Sequence, residues 1–267
     1  MKVLYKTLFL LAGALVILLF ILPLLRGENP YTLRLERIDE GSSYEFPLGT
    51  DQLGRDILAR ATAGGRNSLL IAFTALSLSL SMGALLGATA AFGPALWERF
   101  VTGLTDLFLA VPGLLLALLI LGFLEPSPLR IVLILGVISW APYSRLTRQL
   151  LKKEIEEPFV PALKALGLSR SRILRVHLLP PLFPILLAQA PLDMASLILM
   201  EAGLGFLGAG LPPPLPSWGS LIEEGRYSII THPERLLLPC LGLMLLVSFL
   251  SLLAERYALK QSSRNLQ

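Results

Sequence analysis

Apolar residues run along this chain in six long blocks separated by shorter polar stretches. At about 20 apolar residues per membrane-crossing helix, the blocks predict spans at 7–25, 68–93, 101–124, 129–149, 178–203 and 236–254. The first block follows Lys2 and Lys6 and closes on Leu-Pro-Leu-Leu-Arg with no small-x-small cleavage site, so it reads as a retained span rather than a signal peptide. The fifth is interrupted by Pro180, Pro181, Pro184 and Pro191. Such prolines persist in a span where neighbouring groups satisfy the freed carbonyls. Segment 204–235 has room for a short re-entrant or surface helix.

The stretch "VPALKALGLSRSRILRVHLLP", 160–180, breaks this pattern because it is basic and amphipathic. Pro161 suits a first helical turn, where its missing N–H costs nothing. Ala162, Leu163, Ala165 and Leu166 continue a short helix that Gly167 ends. Ser169 is placed to cap a second helix carrying Arg170, Arg172 and Arg175. Leu163, Leu166, Ile173 and Leu174 supply an apolar face. Periodicity alone leaves two readings open: a surface loop lying on lipid headgroups, or a docking element for a partner.

Charge orients the chain. With both termini inside, the inner segments hold 14 basic and 5 acidic residues, and the outer segments hold 9 basic and 11 acidic. Basic residues near span ends favour the cytoplasmic side, so the prediction is an all-α polytopic membrane protein with six spans, N-in and C-in. The 160–180 stretch then lies in the longest cytoplasmic loop. Composition agrees: 54% of residues are hydrophobic and 16% charged, against about 25% charged in soluble domains. The single cysteine, Cys240, forms no internal disulfide and reads as a packed thiol.

Candidate chemistry is sparse. The glycines at 64–65 and 203–210 lack the Gly-Lys-Ser/Thr ending of a phosphate-binding loop and read as close packing and a turn. His177 and His232 fall on opposite membrane faces, which argues against a shared metal site. No catalytic residue, cofactor or metal is assigned. Three intramembrane acids stand out: Asp106, Asp193 and Glu201. Acids in a span face a protein interior or a cavity, so each is a candidate for polar packing or for the lining of a pathway. Asp106 has Arg99 two turns earlier on a similar face. Gly83-x-x-x-Gly87 permits a close helix contact, in the core or at a seam with another subunit. Trp218 and Tyr227 are candidates for anchoring at the membrane interface.

The 158–180 stretch resembles the "EAA" loop of ABC importer membrane subunits. Ala162 matches an alanine of that pattern, Gly167 its glycine, Ile173 its isoleucine and Leu179-Pro180 its ending. His177 stands where the peptide-transporter branch often has histidine. Pro158 replaces the usual glutamate, and Leu163 replaces an alanine. "FPLGTDQLGRDILARATAGGRNSLLIAF", 46–73, is similar to the block before the second span in dipeptide, oligopeptide and nickel importer permeases, although Phe46 stands where histidine is usual. Asp106 and Pro112 fit the family's third span. Glu201, Phe206-Leu207-Gly208, Gly210, Pro213 and Pro216-Ser217-Trp218-Gly219 fit its fifth span and outer loop. The chain most resembles the C-type permease of the heterodimeric pair.

That resemblance implies a type I ABC importer permease fold in a prokaryotic cytoplasmic membrane. It implies residues 1–66 as the first span and an extracytoplasmic segment, and 67–256 as a five-helix core. The core would hold a coupling loop at about 150–177 and an outer loop at about 204–235, followed by a cytoplasmic tail at 257–267. It implies a second permease, two ABC ATPases that hold ATP and Mg2+, an extracytoplasmic binding protein and lipid as partners, with no nucleic acid. Phe159, Ala162, Leu163, Ala165, Leu166, Gly167, Ile173, His177 and Pro180 would couple to the ATPase. Gly49, Asp51, Gly54, Arg55, Asp56, Pro216 and Trp218 would shape the outer face or meet the binding protein. Peptide is the default substrate, with nickel chelates or other small solutes as the alternative. A proton-coupled secondary transporter and a non-transporting assembly protein are the readings from other classes.

Overall fold

The computed structural model describes residues 2–264. Its helices are α1 (Lys2–Arg26), α2 (Ile57–Phe92), α3 (Ala95–Ala110), α4 (Gly113–Leu121), α5 (Pro128–Ile138), α6 (Trp140–Glu156), α7 (Phe159–Ala165), α8 (Arg170–Arg172), α9 (Leu179–Phe206), α10 (Trp218–Gly225) and α11 (Glu234–Arg264). Among the described residues no strand forms, and four helical stretches are long and apolar enough to cross a membrane: Ile57–Phe92, Pro128–Glu156, Arg170–Phe206 and Glu234–Arg256. The pair α3 and α4 makes a fifth candidate, bent by 88°. The first predicted span falls within α1, many of whose side chains, Lys2 and Lys6 included, lie outside the described residues, as do those of Lys260 and Arg264.

Several predicted boundaries move, each for a local reason. The second span, predicted from 68, belongs to a helix that starts at Ile57 because Asp56 caps it: its Oδ1 accepts the N–H groups of Leu58 at 2.8 Å and Ala59 at 3.1 Å. At 36 residues, α2 is about 54 Å long, so its first turns stand beyond the apolar stretch. The third span, predicted as one helix over 101–124, is broken at Val111-Pro112. Proline pushes the residue before it out of the helical region, and Val111 sits at φ −99°, ψ 130°. The fifth predicted span lies in the helical stretch Arg170–Phe206, with Pro184 and Pro191 inside α9. Pro180 and Pro181 stand in the first turn of α9, where no N–H is needed, and the preceding turn, Ile173–Leu178, is a π-helix. Segment 204–235 contains α10.

The middle of α2 packs on α6. A Cβ on Gly83 would overlap Tyr143 and the Trp140 backbone, and one on Gly87 would meet Thr147 Cβ at 2.9 Å. The Gly83-x-x-x-Gly87 contact therefore lies inside this chain rather than at a seam with another. Around it, Ala72, Ala75, Leu135, Ile198, Leu204 and Leu246 build one apolar core. A second, smaller cluster lies at the far end of α2, where Ala88 meets Leu151, Val160, Ile173, Leu178 and Leu182.

The segment before α2 folds as a cap on its first turns. Gly49 and Gly54 have φ +75° and +69°, and a Cβ at either would run into the backbone carbonyl of Glu40 or Arg34. The Asp51 carboxylate accepts the N–H groups of Leu53 and Arg55, both at 2.9 Å. Phe46, where the resemblance expects histidine, is fully buried with the guanidinium groups of Arg34 and Arg37 over its ring at 5.1 and 5.4 Å. An apolar ring there holds two arginines by cation–π attraction. The Glu45 carboxylate, hydrogen-bonded to Arg37, holds that guanidinium above its ordinary range.

Candidate functional site: an exposed elbow, a cavity and a buried brace

The 158–180 loop is an elbow closed at a glycine. Gly167 has φ +80°, a conformation that only glycine adopts without strain. Its N–H bonds to the Lys164 carbonyl at 3.0 Å, and the Leu168 N–H reaches back to Leu163 at 3.2 Å. This pair of bonds is the Schellman closure of a helix end. Ser169 then caps the next turn by accepting the Arg172 N–H. The elbow has two faces. Val160, Leu163, Leu168 and Ile173 point into the small cluster with α2, α6 and α9. Phe159, Ala162, Ala165, Leu166 and Gly167 point outward, with Leu166 76% exposed. Pro180 is exposed and His177 half-buried. Thus of the nine predicted coupling residues, Leu163 and Ile173 root the elbow and the others stand on or near its surface. A cavity of about 210 Å³ lies beneath, between Phe92, Ile155 and Val160 on one side and Lys164 and Arg170 on the other.

The three intramembrane acids have different surroundings. Asp106 is exposed and pairs with Arg145 of α6 at 2.5 Å, rather than with Arg99 on its own helix. Together with Glu98–Arg148 at 2.9 Å, that pair ties α3 to α6.

Glu201 is fully buried in α9. The Ser68 and Ser217 hydroxyls stand beside its carboxyl, and neither oxygen closes a well-aligned hydrogen bond. It lies where α2, α9 and α10 meet. There the Ser68 hydroxyl accepts the Trp218 N–H at 3.2 Å, and Trp218 Nε1 donates to the Ala61 carbonyl at 3.0 Å. Gly205 and Gly219 let α9 and α10 touch backbone to backbone. The glycine-rich 203–210 stretch thus serves packing and a turn.

Asp193 is half-buried on the wall of a cavity of about 400 Å³. The cavity opens between the α3/α4 break, Ser79 of α2, the α5/α6 junction and α9, with Phe108, Ser139, Ser196 and Met200 on its wall. Gln189 Nε2 donates to Asp193 Oδ1 at 3.3 Å, and the Tyr143 hydroxyl stands next to the carboxylate. Tyr143 was missed in the sequence; its one signal is a phenol two positions before Arg145 in an otherwise apolar run.

The cap residues are mostly interior. Gly49, Asp51, Gly54, Asp56, Pro216 and Trp218 are all buried, and Arg55 is half-buried. Their packing builds the cap, and Trp218, 2% exposed, stands in the interior rather than at a membrane interface. Tyr227 is 70% exposed. Asp51 pairs with Arg55 at 2.6 Å, and Arg60 pairs with Glu224 of α10 at 2.8 Å. Arg235 of α11 reaches Asp39 at 2.5 Å and the Thr50 carbonyl at 2.7 Å. The Arg60–Glu224 and Arg235–Asp39 partners lie more than 160 residues apart, beyond the reach of local spacing. A cavity of about 490 Å³ lies among these residues. Among the described residues no cluster of three or more His, Cys, Asp or Glu side chains fits a metal ion.

Comparison with known proteins gives a consistent picture. Residues 83–262 match the family model described as a binding-protein-dependent transport system inner membrane component. The chain is 38% identical over 216 residues to the di/tripeptide transport system permease protein DppC of Pseudomonas aeruginosa, covering 81% of this chain and 71% of that one. It is 33% identical over 251 residues to the dipeptide transport system permease protein DppC of Alkalihalophilus pseudofirmus, covering 92% and 83%. Among solved structures, the inward-facing MetNI methionine ABC transporter aligns with TM-score 0.63 and 20% identity, over 75% of this chain and 95% of that chain. At that identity the likeness concerns the fold alone.

Proposed function

The chain belongs to the binding-protein-dependent transport system inner membrane components, the transmembrane permease subunits of ABC importers, and from that premise we propose that it forms half of an import pathway for peptides. The substrate class rests on the peptide permeases it is similar to. A nickel chelate or another small solute would need the same architecture, and no observation on this chain favours one. ATP hydrolysis takes place in two partner ATPases, and a second permease and an extracytoplasmic binding protein complete the assembly. Both termini and the elbow face the cytoplasm, as the excess of basic residues on that side supports. The first helix adds a sixth span.

One observation carries the mechanism: the elbow is exposed at its tip and buried at its root. Among the described residues nothing apolar covers its outer face, where Leu166 is 76% exposed. Its inner face is set among α2, α6 and α9. A partner that grips the tip moves α6 and α9 as rigid arms, because the Schellman closure leaves little slack at the bend. Those two helices carry Tyr143 and Asp193, which line or adjoin the 400 Å³ cavity. Displacement at the elbow is thereby converted into a change in the cavity. Such coupling requires that the partner's contacts differ between its two states.

Affinity isolation of the tagged chain in mild detergent tests the assembly. Recovery of a second multi-span subunit with two ATPases is the expected result. A chain that stays alone, even after cross-linking in membranes, overturns the importer reading.

A further inference from the structure

We propose that Asp193 is the contact for the free amino terminus of the transported solute, so that the cavity selects for a primary ammonium group. This rests on the peptide reading above and deepens it. Among the described residues, Asp193 is the one charged group on the wall of the 400 Å³ cavity. Its other polar neighbours there are neutral: the hydroxyls of Ser196 and Ser79 and the Ser139 backbone. Ser79 is already committed, donating to the Ser139 carbonyl at 2.6 Å.

A carboxylate in a span pairs with a cation or faces a cavity, and the obvious cation is taken: Arg145 of α6 is held by Asp106 at 2.5 Å. An ionised carboxylate accepts about four hydrogen bonds. Asp193 receives one, from Gln189 at 3.3 Å, and its Oδ2 lies buried without a well-aligned donor next to the Tyr143 hydroxyl. The two neighbours fix the direction of the carboxylate and leave most of its accepting capacity unmet. An ammonium group, with three donors on a compact charge, meets that need. The cavity volume falls within the usual range for small-molecule sites, about 300–1,000 Å³. Phe108, Leu109, Ile138, Leu197 and Met200 are among the apolar residues that form the rest of the wall, which suits side chains of varied shape. Asp106 and Glu201 are excluded from this role, the first by its ion pair and the second by complete burial.

The test uses the importer purified through this chain, with its own partner subunits and binding protein, reconstituted in proteoliposomes. Uptake of radiolabelled dialanine and of N-acetyl-dialanine is measured, each normalised to the amount held by the binding protein, beside ATP hydrolysis. Expected results are that wild type imports dialanine and that Asp193→Asn lowers this uptake about tenfold or more while hydrolysis persists. Asp193→Glu keeps most of the uptake. N-acetyl-dialanine passes poorly through wild type and no worse through Asp193→Asn. Dialanine uptake by Asp193→Asn within twofold of wild type overturns the proposal and leaves the peptide reading intact. Loss of the assembled complex in both variants also overturns it, by assigning Asp193 to subunit pairing. Failure of wild type to import dialanine or any longer peptide overturns the peptide reading itself, and the proposal with it.

Discussion

Replacing Gly219 with alanine adds one methyl group at a point where two backbones touch. The new Cβ would overlap the Ala202 carbonyl oxygen and lie 2.7 and 2.8 Å from the Ala202 Cα and carbonyl carbon. None of these atoms can rotate away, because they belong to the α9 main chain. Relief requires α10 to lift from α9, which strains the Trp218 Nε1 bond to Ala61 and the Trp218 N–H bond to Ser68. Overpacking of this kind costs about 1–3 kcal/mol, partly offset by the better helix propensity of alanine, about 1 kcal/mol. A net loss of up to about 2 kcal/mol is expected. Gly203→Ala is the control: its Cβ would meet only Leu114 methyl groups at 3.5 and 3.6 Å, an ordinary contact, so propensity makes it neutral or slightly stabilising. The assay is thermal unfolding in detergent, followed by tryptophan fluorescence, as Trp140 and Trp218 move from sites 1% and 2% exposed into solvent. Gly219→Ala should unfold several degrees below wild type and below Gly203→Ala. Equal midpoints for the two alanine variants would refute the backbone-contact reasoning.

Gly167→Val places a β-branched residue at φ +80° with open space around it, so its cost of about 1–2 kcal/mol is paid in backbone strain; ATP hydrolysis by the assembly should continue while uptake per ATP falls, and normal coupling in a stable variant counts against the lever. Asp56→Ala removes the cap of α2 and the partner of Arg26 at 3.0 Å; it should lower stability by about 1–2 kcal/mol, read as a shift in the thermal midpoint, whereas Asp56→Asn, which keeps the acceptor, should recover much of it. Trp218→Phe removes the indole donor to the Ala61 carbonyl and also shrinks a buried ring; a loss of at least about 1 kcal/mol is expected, and no change in midpoint would show the bond to be unimportant.

The membrane helices were legible because a span must be long and apolar wherever it packs. The elbow was legible for a related reason. Pro161 acts by its missing N–H in a first turn, and Gly167 and Ser169 act through a closure and a cap spanning at most five positions, so their spacing alone carries the signal. The break at Pro112 has an equally local cause, yet the sequence reading ran a helix through it, because an apolar block conceals a proline that the hydropathy pattern does not register.

The acids show where legibility ended. Asp106, Asp193 and Glu201 look alike in sequence, each a carboxylate in grease. Only the packed structure separates a side chain paired with Arg145, one on a cavity wall and one sealed between three helices. The cap behaved similarly: Arg60 with Glu224 and Arg235 with Asp39 are partners across most of the chain, and no local spacing announces them. Apolar length, proline position and glycine conformation are properties of a few consecutive residues, so the sequence by itself determined them. The role of a buried charge depends on which distant group arrives beside it, and that was decided when α2, α6, α9 and α10 packed together.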